Sequence, residues 1–99
     1  MTEFSNLGTF LKQKRIESNL TQKELAHSLG NMNSQFVSNW ERGLCAPPSH
    51  SFQRLIDVLR INRDRLVEIM LDDARTVIES RVYKKGKKKS ASKPKGRGR

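Results

Sequence analysis

Cysteine is almost missing from this chain: Cys45 stands alone among 99 residues, so no intramolecular disulfide can form. Adding His27 and His50 to that thiol still falls short of a closed four-ligand zinc site, and neither a metal nor a cofactor is expected. No stretch approaches the roughly 18 consecutive apolar residues of a membrane-crossing helix. Residues 1–8 carry neither the basic nor the apolar region of a secretion signal, so the expected location is cytoplasmic, without membrane contact. Sustained alternation of apolar and polar residues is lacking too, which argues against strands. Paired carboxylates, a nucleophile beside a base and a phosphate-cradling glycine loop cannot be assembled from these residues. An enzyme with a small-molecule substrate is therefore not expected, and a chain this short has room for one modest core.

Charge is what the chain has in quantity, and it is unevenly placed. Lys and Arg number 20 against 10 acidic residues, for a net charge of +10. Residues 1–83 are nearly neutral, with 11 basic and 10 acidic side chains, whereas residues 84–99 hold nine basic side chains and no acid. A polyanionic partner suits that imbalance.

Turn signals divide the nearly neutral part into five helical pieces. The first, about residues 6–18, places Leu7, Phe10, Leu11 and Ile16 on one side, and Asn19 stops it by tolerating the left-handed conformation. Thr21 and Glu24 form a capping box that starts a second helix, with Leu25, Ala26 and Leu29 inward and Gly30 closing it. Asn31 or Asn33 can cap a third helix running to Arg42, which Gly43 and Pro47-Pro48 terminate. A fourth, over about residues 49–60, buries Phe52, Leu55, Ile56 and Leu59. Asn62 or Asp64 opens a fifth that keeps helical character to Tyr83. Beyond Tyr83, nothing is apolar enough to pack, and a disordered tail is expected.

Two short helices joined by a tight turn are the layout of a helix-turn-helix reader of duplex DNA. At 100° per residue, Val37, Trp40 and Glu41 share one side of the third helix, while Gln35, Ser38, Asn39 and Arg42 share the other. The outer face is polar and free of acid, as a major groove demands. Gln and Asn bond adenine through N6 and N7, Ser bonds several base edges, and Arg takes guanine or phosphate. The alternative is an ordinary solvated face. Glu41 favours the first reading, because an inward carboxylate needs a cation from another helix, and Arg15 is the candidate. Trp40 and Phe36 read as packing residues, though a phenyl ring at the position of Phe36 can touch a thymine methyl.

The spacing Thr21-Gln22-x-Glu24-Leu25-Ala26-x-x-Leu29-Gly30, followed by Val37-Ser38-Asn39-Trp40-Glu41-Arg42-Gly43 and Pro47, resembles the Cro/repressor (XRE) helix-turn-helix family over about residues 6–70. The resemblance implies an all-α, five-helix repressor-like domain that binds double-stranded DNA, usually as a dimer on pseudo-palindromic operators. By the same resemblance, Gln22 contacts a phosphate, Ser34 and Gln35 reach base edges with Asn39 one turn later, and Arg15 with Glu41 forms an internal ion pair. The chain departs from the family pattern in three places. Its turn before the third helix is one residue longer, its loop Leu44-Cys45-Ala46-Pro47-Pro48 lacks a cation, and Lys14 occupies a frequently apolar position where it faces phosphate or solvent.

The expected organisation is a helix-turn-helix domain over residues 1–70, an extended fifth helix over 62–83, and a tail over 84–99. Val67, Met70, Ala74 and Val77, with Leu71 and Ile78 alongside, form a candidate homodimer seam; the alternative is packing of the same face on its own domain. In the tail, Pro94-Lys95-Gly96-Arg97-Gly98-Arg99 is similar to a degenerate AT-hook. The expected function is sequence-specific transcriptional regulation in a prokaryote or phage, at the nucleoid. Two rivals remain, a low-specificity architectural protein and an antitoxin-like protein-interaction module. Lys84, Lys85, Lys87, Lys88, Lys89, Lys93, Lys95, Arg97 and Arg99 can neutralise up to nine phosphates. Ending the chain at Tyr83 should therefore make log K against log salt shallower by about 8, measured by titration on a duplex.

Overall fold

The computed structural model describes residues 2–83, and the sequence expectations for the tail lie outside them. Five helices follow one another: α1 Ser5–Glu17, α2 Gln22–Ser28, α3 Ser34–Glu41, α4 Ser49–Leu59 and α5 Arg63–Tyr83. Helix α1 packs against both α3 and α5, and α2 packs against α3. The core they enclose centres on Leu7, Leu11, Leu25, Val37, Trp40 and Leu55.

Local chemistry sets each boundary. The Thr21 hydroxyl accepts the Glu24 N–H at 3.0 Å while the Glu24 carboxylate accepts the Thr21 N–H at 2.9 Å, so the capping box is complete. The α2–α3 turn uses two consecutive left-handed residues, Gly30 at φ 101° and Asn31 at φ 60°. That pair reverses the chain quickly and leaves Asn33 to cap α3, its Oδ1 accepting the Gln35 N–H at 2.7 Å. Of the two candidates for opening α5, Asn62 does so by accepting the Arg65 N–H at 2.9 Å. Arg60, at φ 54°, closes α4.

Three apolar assignments change in the folded chain. Ile16 is 56% exposed, because nine residues at 100° each carry it about half a turn from Leu7. Phe52 is only half-buried, the interior of α4 being filled by Leu55, Ile56 and Leu59. Phe36 is 52% exposed on the flank of α3, where Val37 and Trp40 take the inward positions. In α5, the inward positions are Leu66, Ile69 and Asp73. Met70 and Val77 are half-buried beside them, whereas Val67, Leu71, Ala74 and Ile78 face outward.

Asp73 ties α5 to the start of α1. Phe4 occupies the cap position of α1 and supplies no side-chain acceptor. The carboxylate of Asp73, itself 5% exposed, fills that role from a distant part of the chain, accepting the Asn6 N–H at 3.1 Å and the Leu7 N–H at 2.9 Å. A negative group at a helix N-terminus also meets the positive end of the helix dipole. Gly8 lets α1 approach α3: a Cβ there would sit 2.6 Å from the Trp40 carbonyl oxygen and 2.7 Å from that of Glu41.

Two substitutions test these contacts. Asp73→Ala leaves the buried Leu7 N–H and the part-buried Asn6 N–H without their acceptor and should lower stability by about 1–3 kcal/mol in denaturant titration. Gly8→Ala gains roughly 1 kcal/mol in helix propensity, yet the backbone clash outweighs it, so the melting temperature should fall.

Candidate nucleic-acid interface

Arg15 on α1 and Glu41 at the end of α3 meet in a two-pronged ion pair. Arg15 Nε donates to Glu41 Oε2 at 2.6 Å and Nη2 donates to Oε1 at 3.1 Å. The Glu41 side chain is 3% exposed and that of Arg15 12%, so both charges are largely removed from water. Two further bonds complete the arrangement: Arg15 Nη1 donates to the Leu20 carbonyl at 2.7 Å, and Gln22 Nε2 donates to Glu41 Oε1 at 2.9 Å. The planar guanidinium suits this fork, which a lysine could not reproduce. Helices α1, α2 and α3 thereby converge on one carboxylate.

With Glu41 held inward, the opposite face of α3 is turned out. Gln35 and Asn39 lie one turn apart, and Gln35 Nε2 donates to Asn39 Oδ1 at 3.0 Å. Arg42 reaches back one turn, its Nη2 donating to the same oxygen at 2.9 Å. Gln35 is exposed, while Ser34, Ser38 and Asn39 are half-buried at the helix surface. The six-residue stretch from Gln35 to Trp40 contains no acidic side chain to repel a phosphate.

The residues expected to meet phosphate are placed variously. Gln22 stands at the start of α2 with its amide directed to Glu41. Lys14 lies on α1, its Nζ 3.6 Å from Glu17 Oε1 and 5.9 Å from the centre of the Phe10 ring. Arg42 follows α3 and bonds Asn39. Among the described residues, no group of three or more His, Cys, Asp or Glu is arranged to hold a metal ion. No described helix is long and apolar enough to cross a membrane.

Gly8 and the Gln22–Glu41 bond carry no signal in the local pattern. Asp73 leaves one trace, since it follows Leu66 and Ile69 at helical spacing and so occupies an apolar stripe.

Comparison with known proteins bears on the family and the fold. The Helix-turn-helix family model HTH_3 matches residues 11–66, more than half of the chain. The chain belongs to the XRE-type helix-turn-helix family. Members of this family are DNA-binding regulators of transcription. Among solved structures, the chain is similar to a tyrosine-to-phenylalanine mutant of the restriction-modification controller protein C.Esp1396I. That match has 22% identity and a TM-score of 0.55, and covers 72% of this chain and 93% of the other. A comparison with curated proteins gives no significant match. The matched family segment contains Arg15, the α2–α3 turn and Glu41 together.

Because Glu41 is buried with its partner, Glu41→Ala should cost about 3 kcal/mol or more by leaving Arg15 uncompensated. A joint Arg15→Met, Glu41→Leu replacement should cost clearly less than the sum of the single losses in a double-mutant cycle read by urea denaturation.

Proposed function

We propose that this helix-turn-helix regulator binds a short, two-fold-related duplex sequence as a homodimer, with α3 of each subunit in the major groove. Ser34, Gln35, Ser38 and Asn39 face base edges with Arg42 bonded beside Asn39, while Lys14 and Gln22 at the start of α2 lie toward phosphates, the Gln22 side chain also bracing Glu41. The observation that carries the reading is the acid-free polar face of α3, turned outward by the buried Arg15–Glu41 pair behind it. Helix N-terminal residues that enter the groove need a firm support, and three helices supply one here.

The dimer reading rests on α5. Val67, Leu71, Ala74 and Ile78 recur at intervals of four, three and four, the spacing of a coiled-coil seam, and all four are exposed in the single chain. Val67, Leu71 and Ile78 are 54%, 61% and 58% exposed, which leaves the stripe available to a second copy. Docking two such stripes would set the separation of the two α3 helices and therefore the half-site spacing.

The cationic residues 84–99 then supply contact with phosphates that carries no sequence information, at the nucleoid. The same charge favours a second reading, in which the tail drives architectural coating and affinity varies little between sequences. Selection from a random duplex library at about 150 mM salt separates the two, since that salt suppresses purely electrostatic association. A palindromic motif retained by a chain ending at Tyr83, and lost with Gln35→Ala plus Asn39→Ala, is the expected result. Uniform binding by the full chain together with no enrichment by the shortened one would establish the architectural reading instead.

A further inference from the structure

The hydrogen bonds on α3 decide which base Asn39 can read. An amide oxygen has two lone pairs. At Asn39 Oδ1 both are taken, one by Gln35 Nε2 at 3.0 Å and the other by Arg42 Nη2 at 2.9 Å. Among the described residues, what Asn39 keeps uncommitted is its Nδ2, a pure donor. Adenine presents an acceptor at N7 and a donor at N6, so its two-point recognition requires a free amide oxygen as well as an amide N–H. Guanine presents N7 and O6, two neighbouring acceptors and no donor on that side. The remaining guanidinium hydrogens of Arg42 lie beside the Asn39 amide, because Arg42 is bonded to it, and they suit the same pair of acceptors.

We propose that Asn39 is a donor-only reader of guanine, with Arg42 as the residue that withdraws its carbonyl and adds donors alongside. This deepens the proposed operator reading and rests on it. Gln35 is in a different condition. It gives one Nε2 hydrogen to Asn39 and keeps Oε1 and its second hydrogen, the two groups that a two-point bond to adenine uses. Two amide side chains one turn apart on α3 therefore read unlike bases. The composition of the face shows two amides; only their mutual bonding distinguishes them. Arg42 also changes role, from a phosphate contact to a positioning residue for base recognition.

The test compares the full chain with Asn39→Ala, Gln35→Ala and Arg42→Ala in selection from random duplexes at about 150 mM salt. Binding constants on the enriched duplex and its single-base variants are then measured across salt concentrations. Circular dichroism melting confirms that each variant folds. The wild type should enrich guanine at the position that Asn39→Ala relaxes, and adenine at the position that Gln35→Ala relaxes. Discrimination at each position should be roughly five- to a hundredfold. Arg42→Ala frees one lone pair of Asn39, so preference at that position should move from guanine toward adenine. Adenine or thymine at the Asn39-dependent position of the wild type overturns the proposal. So does an Arg42→Ala variant that weakens every duplex equally and lowers the salt slope by about one, the signature of a phosphate contact. A motif that Asn39→Ala leaves intact sinks this inference alone; no motif from the wild type sinks it together with the operator reading.

Discussion

The burial of one carboxylate governs the arrangement of this domain. Glu41 closes α3 with its side chain almost out of water, and an uncompensated charge there would cost several kcal/mol. Arg15 compensates it from α1 through two parallel bonds, and Gln22 adds a third from α2. Each of those bonds has a direction as well as an energy. A hydrophobic contact between three helices permits sliding, whereas a fork of N–H groups on two oxygens does not. The orientation of α3, and with it the face it presents, follows from that geometry. Gly8 belongs to the same constraint, since the absence of a Cβ is what lets α1 come close enough to α3 for the pair to form.

Asp73 extends the constraint to α5. Its carboxylate occupies the donors at the N-terminus of α1, the helix that carries Arg15 at its other end. The long α5 is thus joined to α3 through α1, by hydrogen bonds at one end and an ion pair at the other. Arg81 Nη2, 3.6 Å from Glu3 Oε2, adds a surface pairing between the same two regions. This surface pair is exposed and screened, so it contributes little beside the buried bonds of Asp73. A path of directed contacts runs from the outward stripe of α5 to α3. In the proposed dimer, that path relates the two reading helices to each other.

Much of the fold was legible in the sequence because its signals are local. A capping box needs only Thr21 and Glu24, and a stop needs only Asn19 or Gly43, so α2 and the ends of α1 and α3 follow from adjacent residues. The Arg15–Glu41 pair could also be inferred, since an acid on an inward face demands a cation wherever the chain supplies one. The misread residues are those whose fate depends on more than their own helix. Ile16 was apolar and near the right spacing but half a turn off the buried face, and Phe36 lost the interior to its neighbours Val37 and Trp40. Asp73 reads locally as one more charged residue on a long helix, since its partners lie 66 and 67 positions away.

The division has a physical cause. Hydrophobic periodicity, capping and glycine stops act over three or four residues, and they are sufficient to specify five helices, their order and their apolar sides. Charge distribution likewise needs no structure, and it separates a nearly neutral body from nine cations in the last 16 residues. What required the tertiary structure is the state of individual polar atoms. Which donors Asp73 satisfies and where the amide of Gln22 points depend on distances of about 3 Å between groups far apart in the chain, and even the short-range bonds to Asn39 Oδ1 are set by side-chain geometry that the residue types leave open. Residue type sets how many hydrogen bonds a side chain can make; packing alone decides which of them remain free for a partner.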